Sequence, residues 1–473
     1  MRRLHIRLST ARSARAEIEQ EGEKVFAVCD ILPFRIFASD AMGNHTTCSA
    51  TPFWIRSARV TCSWRWCSLL LGCLGPLTAF SQIDPVQRNL LQVGYNMAMQ
   101  GHPPLSGYAY YYRNQPNFLS DSNLTLRLAI APTYLDSEIG FSHLLGKNTD
   151  LGIGIAGGGF ADNYNEIRQG KFEPHESFTG HSAEMSLHVY HLFNPGQQIP
   201  LYGVVRGIGH YSFFERSDDT RDDFRVPDNR GTFYVRTGLR LGGREPTLFP
   251  SLAMELSIWY EGQFRTDNTP YGFVDGPPGD PINGPRKVEP HSHLVWGAAL
   301  LGYTLPQLNH TFFLSLTAGT SVDADRFSAY RLGALLPLVA EYPLSLPGYY
   351  YQELSARQFV LFGANYLVPL DKRQRWNFNI MGATAAVDYL RGLEQPGHWH
   401  SGVGAGILYK TPSWKIMVGY AYGVDAIRSD GEGAHSVGIL MQLDLGKAKE
   451  EIFNPAEPSR WQGIQRVFGL FGS

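Results

Sequence analysis

Residues 414–425, WKIMVGYAYGVD, decide how the chain is read. At period two, Trp414, Ile416, Val418, Tyr420, Tyr422 and Val424 share one side, and Lys415, Met417, Gly419, Ala421, Gly423 and Asp425 the other. Successive side chains of a strand point to opposite faces, so the stretch is a β-strand with one broad apolar face. That face belongs either to the core of a soluble sheet or against lipid. The solvent side of a sandwich strand is usually Thr, Ser, Lys or Glu. Here the opposite side holds Gly, Ala and isolated charges, which suits a curved wall around a crowded or wet lumen. The apolar side is therefore read as facing lipid.

The same alternation recurs. Leu124, Leu126, Leu128 and Ile130 oppose Thr125, Arg127 and Ala129; Phe233, Val235, Thr237, Leu239 and Leu241 oppose Tyr234, Arg236, Gly238 and Arg240. Val437, Ile439, Met441, Leu443 and Leu445 oppose Gly438, Leu440, Gln442 and Asp444. Runs of this kind, rich in aromatic and β-branched residues, number 14 between GYAYYYRN at 107–114 and HSVGILMQLDL at 435–445. Not all alternate: FVLFGANYLV does so poorly. Arg127, Arg236, Arg240, Lys415 and Asp444 fall on the inward side and are expected to line the lumen and pair there. On a sandwich they would be ordinary solvent-face charges.

Links between the runs sort by length. GKNT, NPGQQIP, REPTLFP, PQLNH, DKRQ and TPS are short, whereas 161–181, 215–230, 265–293, the segment around 320–356, LRGLEQPGHW at 390–399 and AIRSDGEGA at 426–434 are the long ones. An up-and-down meander sends every second link to the same side. Short turns at one end and long loops at the other describe an outer-membrane barrel, with the short turns periplasmic and the long loops external. A sandwich has no reason to sort its loops this way. The expected fold is all-β: a transmembrane up-and-down antiparallel β-barrel of about 14 strands, within 12–16, over residues 82–446.

Composition bounds the rest. The chain has 473 residues with 50 Gly, 27 Phe, 24 Tyr and 9 Trp, and a mean hydropathy of -0.20. No run of about 18 apolar residues occurs, which argues against membrane helices but not against a barrel, whose polar lumen dilutes its apolar exterior. One shorter run, CSLLLGCLGPLTAF at 67–80, follows Arg56, Arg59 and Arg65 and precedes Ser81. With Ala79 and Ser81 at the spacing a signal peptidase reads, cleavage is expected after Ser81. LLGC, ending at Cys73, is a second candidate as a lipoprotein site, behind a very short apolar run. Initiation at Met42 gives a signal of ordinary shape, so 42–81 is read as signal peptide and 1–41 as an unstructured or mis-called extension. Residues 447–473 form a periplasmic tail, in which RWQGIQRVFGLF is either a short amphipathic helix or disordered.

All five cysteines precede residue 82. The exported part thus has no disulfide framework, zinc–cysteine site or thiol nucleophile. Of 41 Lys/Arg and 43 Asp/Glu, 10 and 6 lie before residue 82, leaving 31 against 37 and no basis for nucleic-acid binding.

From about residue 320 the chain holds YRLGALLPL, then LPGYYYQEL, then five runs, the second ending in AVDYLRG. This order resembles the C-terminal half of the bacterial surface antigen superfamily, the Bam/Tam-type and patatin-linked outer-membrane barrels. In that family a loop folds back into the lumen with an Arg-Gly-Tyr/Phe motif. Gly348 and Tyr349 match its Gly-Tyr pair, and Asp388 matches the Asp of a later Phe-x-Asp-x-Gly-like element. Pro347 stands at the motif's Arg position, with Arg331 and Gly333 of RLG as the alternative source of a lumenal cation. No POTRA-like repeats precede the first run. The resemblance implies a pore, or a barrel assisting translocation or insertion of protein or lipid, in the outer membrane of a Gram-negative cell. Its partners would be outer-membrane lipids and periplasmic or outer-membrane assembly partners, with no cofactor and no catalytic residue.

Two other functions compete. His398–Ser401, His291–His293 and His175–Ser177 supply the His and Ser of an outer-membrane lipid hydrolase, although no carboxylate is fixed by spacing and solvated loop residues are the plainer account. The His pairs are also weak metal candidates. Gly152–Gly159 lacks the spacing of a nucleotide loop and suits strand curvature. A secreted β-sandwich adhesin is the other alternative.

Overall fold

Period-two alternation over so many strands has one solution that leaves no open edge: a sheet that closes on itself. The computed structural model describes residues 86–250, 253–334, 343–429 and 431–453, all within the unit Leu74–Ser473. The expected extension 1–41, the signal peptide 42–81 and RWQGIQRVFGLF lie outside the described residues.

Sixteen strands form a closed antiparallel barrel. They are β1 Arg88–Ala98, β2 Gly107–Pro116, β3 Leu124–Ile130, β4 Tyr134–Phe141, β5 Thr149–Gly158, β6 Phe178–Leu192, β7 Leu201–Arg216 and β8 Arg230–Arg244. The second half is β9 Ala253–Arg265, β10 His291–Thr304, β11 Thr311–Val322, β12 Leu354–Pro369, β13 Trp376–Tyr389, β14 Trp399–Lys410, β15 Trp414–Arg428 and β16 Gly431–Asp444. Each pairs with the next, and β16 returns to β1 in register from Leu90↔Asp444 to Ala98↔Ser436. The count is the upper end of the expected 12–16. The two strands beyond the 14 runs are β1 and β4, because LTLRLAIAPTYL turns at residues 131–133, where Ala131 N donates to Tyr134 O at 2.8 Å.

The faces divide as alternation requires. In β15, Val418 and Tyr420 are 49% and 45% exposed, while Met417 and Ala421 are 3% and 9% exposed. Met185, Leu256, Ile258, Val360, Ile380, Val403 and Ile439 carry the exposed apolar surface around the wall. At the short-turn end the rings of Trp376 and Tyr409 lie 4.7 Å apart, with Tyr303 and Tyr366 exposed nearby on the outer face, the pattern of an interfacial girdle.

Most short connections occupy one end and the long ones the other. Two tight turns sit at the long-loop end, at 131–133 and at the pair Arg428↔Gly431 within the expected long link 426–434; the second is tight because β15 and β16 stay paired to their tips. Residues 142–148, 193–200, 305–310, 370–375 and 411–413 turn at one end; 159–177, 217–229, 266–290 and, of the β11–β12 connection, 323–334 and 343–353 belong to the other. The short turns close on local hydrogen bonds: Trp376 N donates to Asp371 Oδ1 at 2.8 Å, and Trp414 N to Thr411 Oγ1 at 2.9 Å. Strands β6 and β7, of 15 and 16 residues, exceed the roughly 9–11 that cross a bilayer and carry the long loops beyond it. Strands β3 and β4, of 7 and 8 residues, are the lowest part of the wall. After β16, Asp444 caps helix α1 (Leu445–Phe453), its Oδ1 accepting from Lys447 N at 3.1 Å.

Candidate functional site

The barrel interior is the candidate site, built from three layers. The first is a set of charges on the inward wall. Arg127 meets Glu138 at 2.9 Å, and Glu138 also accepts from Tyr190 Oη at 3.1 Å. Arg236 meets Glu261 at 2.6 Å and Arg240 meets Glu255 at 3.0 Å. Between these pairs Trp259 and Trp296 stack 6.4 Å apart, with the Arg206 and Arg236 guanidiniums 5.6 and 5.5 Å from their ring centres. Neighbouring antiparallel strands place Arg and Glu directly opposite, as with Arg236↔Glu261, so each charge has a counter-ion in a confined space. Lys415 and Asp444 differ. Lys415 Nζ donates to the carbonyls of Leu248 and Phe249 at 2.6 and 3.3 Å, and Asp444 pairs with Lys447 at 3.4 Å beside the helix it caps.

The second layer is the β11–β12 connection, which folds back inside the wall. Tyr330–Leu332 pairs with Leu354–Ala356 at the start of β12, and Leu332, Leu346, Tyr349 and Leu354 are fully buried at the centre of the largest apolar cluster. Gly348 has φ +85°, a conformation L side chains avoid, and a Cβ there would sit 1.9 Å from Gly423 N. The wall is bare at the same place. Gly402 and Gly423 face each other across β14 and β15, and a Cβ on Gly402 would lie 2.0 Å from Pro347 O. Backbone therefore rests on backbone. Tyr349 Oη reaches His400 Nδ1 at 3.1 Å, while His400 Nε2 meets Tyr389 Oη on its other side. Arg331 leaves this group: it donates to Asn165 O at 2.6 Å and stands 4.9 Å from the Tyr164 ring centre. The inward loop thus brings Gly348 and Tyr349 against β14 and β15, while Gly333 bonds to Leu344 and Leu346 of the same loop and Arg331 is turned to the β5–β6 loop. Asp388 is not among them. It lies on the outward side of β13 and pairs with Arg357 at 2.8 Å, because alternation puts Val387 and Tyr389, not Asp388, on the buried face.

The third layer is a knot of buried charges where the long loops meet. Arg326 grips Glu166 through Nε and Nη2, both at 3.1 Å; Arg168 meets Glu176 at 2.5 and 2.6 Å; Arg286 reaches Glu176 and lies 3.4 Å from Glu166. Tyr164 Oη donates to Glu166 at 2.5 Å. Burial pushes the Glu166 carboxyl up, but Arg326 and Arg286 outweigh it and hold the pKa down at about 2. A second buried pair joins the inward loop to the wall. Arg428 donates to both oxygens of Glu353 at 2.8 and 2.9 Å, its guanidinium 3.7 Å from the Tyr350 ring centre.

The histidines of the hydrolase alternative are placed as follows. His398 Nδ1 meets Val387 O at 2.9 Å, His175 Nδ1 meets Asp219 O at 2.8 Å, and His293 Nδ1 meets Tyr260 Oη at 2.9 Å. Ser401 Oγ pairs with Thr384 Oγ1 at 3.1 Å.

Sequence reasoning missed Glu166, Glu176, Arg286, Arg326, Glu353 and Arg428, which all fell in segments read as external loops. Their partners are 75 to 160 residues away, apart from the local contacts of Glu166 with Tyr164 and Arg168 and of Glu176 with Arg168. The available signal was compositional: charge set beside aromatic residues, as in DRFSAY at 325–330.

No family model matches the sequence, and no curated protein matches it. Solved structures with a similar arrangement include CdiB from Acinetobacter baumannii, at 12% identity and TM-score 0.46 over 76% of this chain and 60% of that one. CdiB from Escherichia coli is similar at 11% and 0.47, over 76% of this chain and 63% of that one. BamA from Haemophilus ducreyi lacking POTRA domains 1–3 is similar at 11% and 0.46, over 75% of this chain and 70% of that one. The chain thus spans less than two thirds of either CdiB. The architecture itself rests on the strand order and closure described above.

Proposed function

We propose that the chain is an outer-membrane β-barrel that acts as a gated conduit, exported by its N-terminal signal and oriented with its long loops outside. It passes or helps insert protein, lipid or small solutes, has no catalytic step, and works among outer-membrane lipids with assembly partners. The observation that carries this reading is the inward β11–β12 loop lying on the bare backbone of Gly402 and Gly423, inside a wall lined with paired charges. The loop is held by its apolar cluster, by backbone contact and by the Arg428–Glu353 pair, and the wall's own strand pairing does not run through it, so it can leave without dismantling the wall.

Two measurements test it. A cysteine at Asn268 should react with a membrane-impermeant maleimide on intact cells and one at Lys372 should not; the reverse pattern rejects the orientation. In planar bilayers the purified protein should show brief openings over a closed baseline. Gly402→Val, which drives a side chain into Pro347, should raise the open time at least tenfold. Absence of openings in both forms rejects the conduit.

A further inference from the structure

The link between β8 and β9 does not hang free at the short-turn end. In strand order it is half a barrel away from the junction of β16 and β1, yet residues 246–249 reach that junction from inside. Gln92 and Gln442 face each other in register across β1 and β16, and their amides join at 3.0 Å. Gln442 Oε1 also accepts from Leu248 N at 2.8 Å, and Gln92 Nε2 donates to Pro246 O at 3.4 Å. Lys415, on β15, donates to the carbonyls of Leu248 and Phe249. Leu248 is 3% exposed and packs on Leu367, Met381, Leu408, Met417 and Leu440 of the inward faces of β12 to β16. The Phe249 ring lies 6.2 Å from Phe313.

A short turn at a water-facing end has no need to bury a leucine, and a wall lysine has no need to spend its ammonium on turn carbonyls. Together these contacts make a cover. From this geometry we propose that the β8–β9 turn is a latch closing the short-turn mouth, in series with the β11–β12 loop nearer the long-loop end. The gating role rests on the conduit reading; the covering role does not. The contacts suit a reversible closure. Each hydrogen bond on the turn side is made by backbone, which water satisfies on release, and Gln92 and Gln442 keep their bond to each other. The apolar contact rests on Leu248 together with Phe249.

The latch is tested on the full-length protein, since the chain from residue 82 has no cysteine of its own. Met417→Cys probes the covered cluster with a water-soluble methanethiosulfonate cation. Leu248→Asp, which expels the turn from the apolar cluster, should raise the labelling rate at 417 at least tenfold. An unchanged rate overturns the cover. Lys415→Gln, a milder change that leaves the wall intact, should raise it severalfold and serves if Leu248→Asp fails to fold. For gating, Leu248→Cys and Leu440→Cys are joined by a short reducible bismaleimide in the Gly402→Val background. Crosslinking should abolish the openings of that variant, and reduction should restore them. Openings as frequent after crosslinking as before overturn closure in series. Faster labelling at 417 with no openings in any variant upholds the cover and rejects the conduit.

Discussion

Replacing Glu166 by alanine should loosen the long-loop cap while the barrel wall stays closed. Glu166 is fully buried and faces Arg326 at 3.1 Å and Arg286 at 3.4 Å, with Arg168 at 3.2 Å. Removing one partner of a buried pair leaves the other charge without compensation, at about 3–5 kcal/mol. Here one carboxylate answers two fully or largely buried guanidiniums, so the upper part of that range is expected. The loss falls on residues 159–177, 266–290 and 323–334, not on strand pairing. Limited trypsin digestion of outer-membrane preparations should therefore cut faster at Arg286, Lys287 and Arg326 in Glu166→Ala, while heat-modifiable migration is retained. Equal cutting of both forms would show that the knot does not hold the cap.

The same carboxylate sets a pH window. Its pKa is about 2 in the folded protein against an ordinary 4.5, so the unfolded segment binds the proton first as pH falls. The stabilisation is complete above about 4.5 and drains away as pH drops toward 2. Protease resistance of the cap should hold at pH 5 and weaken near pH 3. Glu166→Gln, which keeps the shape and lacks the charge, should remove that pH dependence.

The wall was legible in the sequence because a closed sheet with different surroundings on its two faces enforces alternation over most of its length. Wherever the outward side is aliphatic and the inward side small or charged, as in β8, β15 and β16, period two suffices. Legibility failed for physical reasons at identifiable places. In β1 the inward residues Gln92 and Asn96 are poor strand formers, and Gln92 is at home there only because Gln442 meets it from 350 residues away. At the end of β15 a register irregularity between Gly423 and Ile427 breaks the parity, so Ala426 and Arg428 become the buried residues. No counting from Val418 would place Arg428 inward. Gly423 read as one of the small inward residues of a curved wall, and alternation alone does not show that Gly402 and Gly423 leave the wall flat where Pro347 and Gly348 lie on it. The three-layered interior is made of contacts between distant segments, and alternation carries no information about them.

Val418→Arg asks directly what the outer face touches. Val418 stands in register between Ile407 on β14 and Ile439 on β16, and the three are 38%, 49% and 42% exposed in the order Ile407, Val418, Ile439. Three aliphatic side chains side by side on an exposed wall are costly in water and at rest in hydrocarbon. An arginine near the middle of the bilayer should lower barrel stability by about 2–4 kcal/mol, measured as the shift in urea unfolding in phospholipid vesicles. Gly419→Ser, one residue on and inward, should be far milder: a Cβ there meets Ala405 O no closer than 3.2 Å. A buried soluble core would also resist Val418→Arg, so the energy alone does not decide. Spin labels at 407, 418 and 439 do. Lipid-dissolved oxygen should relax all three strongly and an aqueous nickel complex should not, whereas a buried core relaxes with neither. Relaxation by nickel exceeding that by oxygen at these sites would place the face in water and sink the membrane barrel.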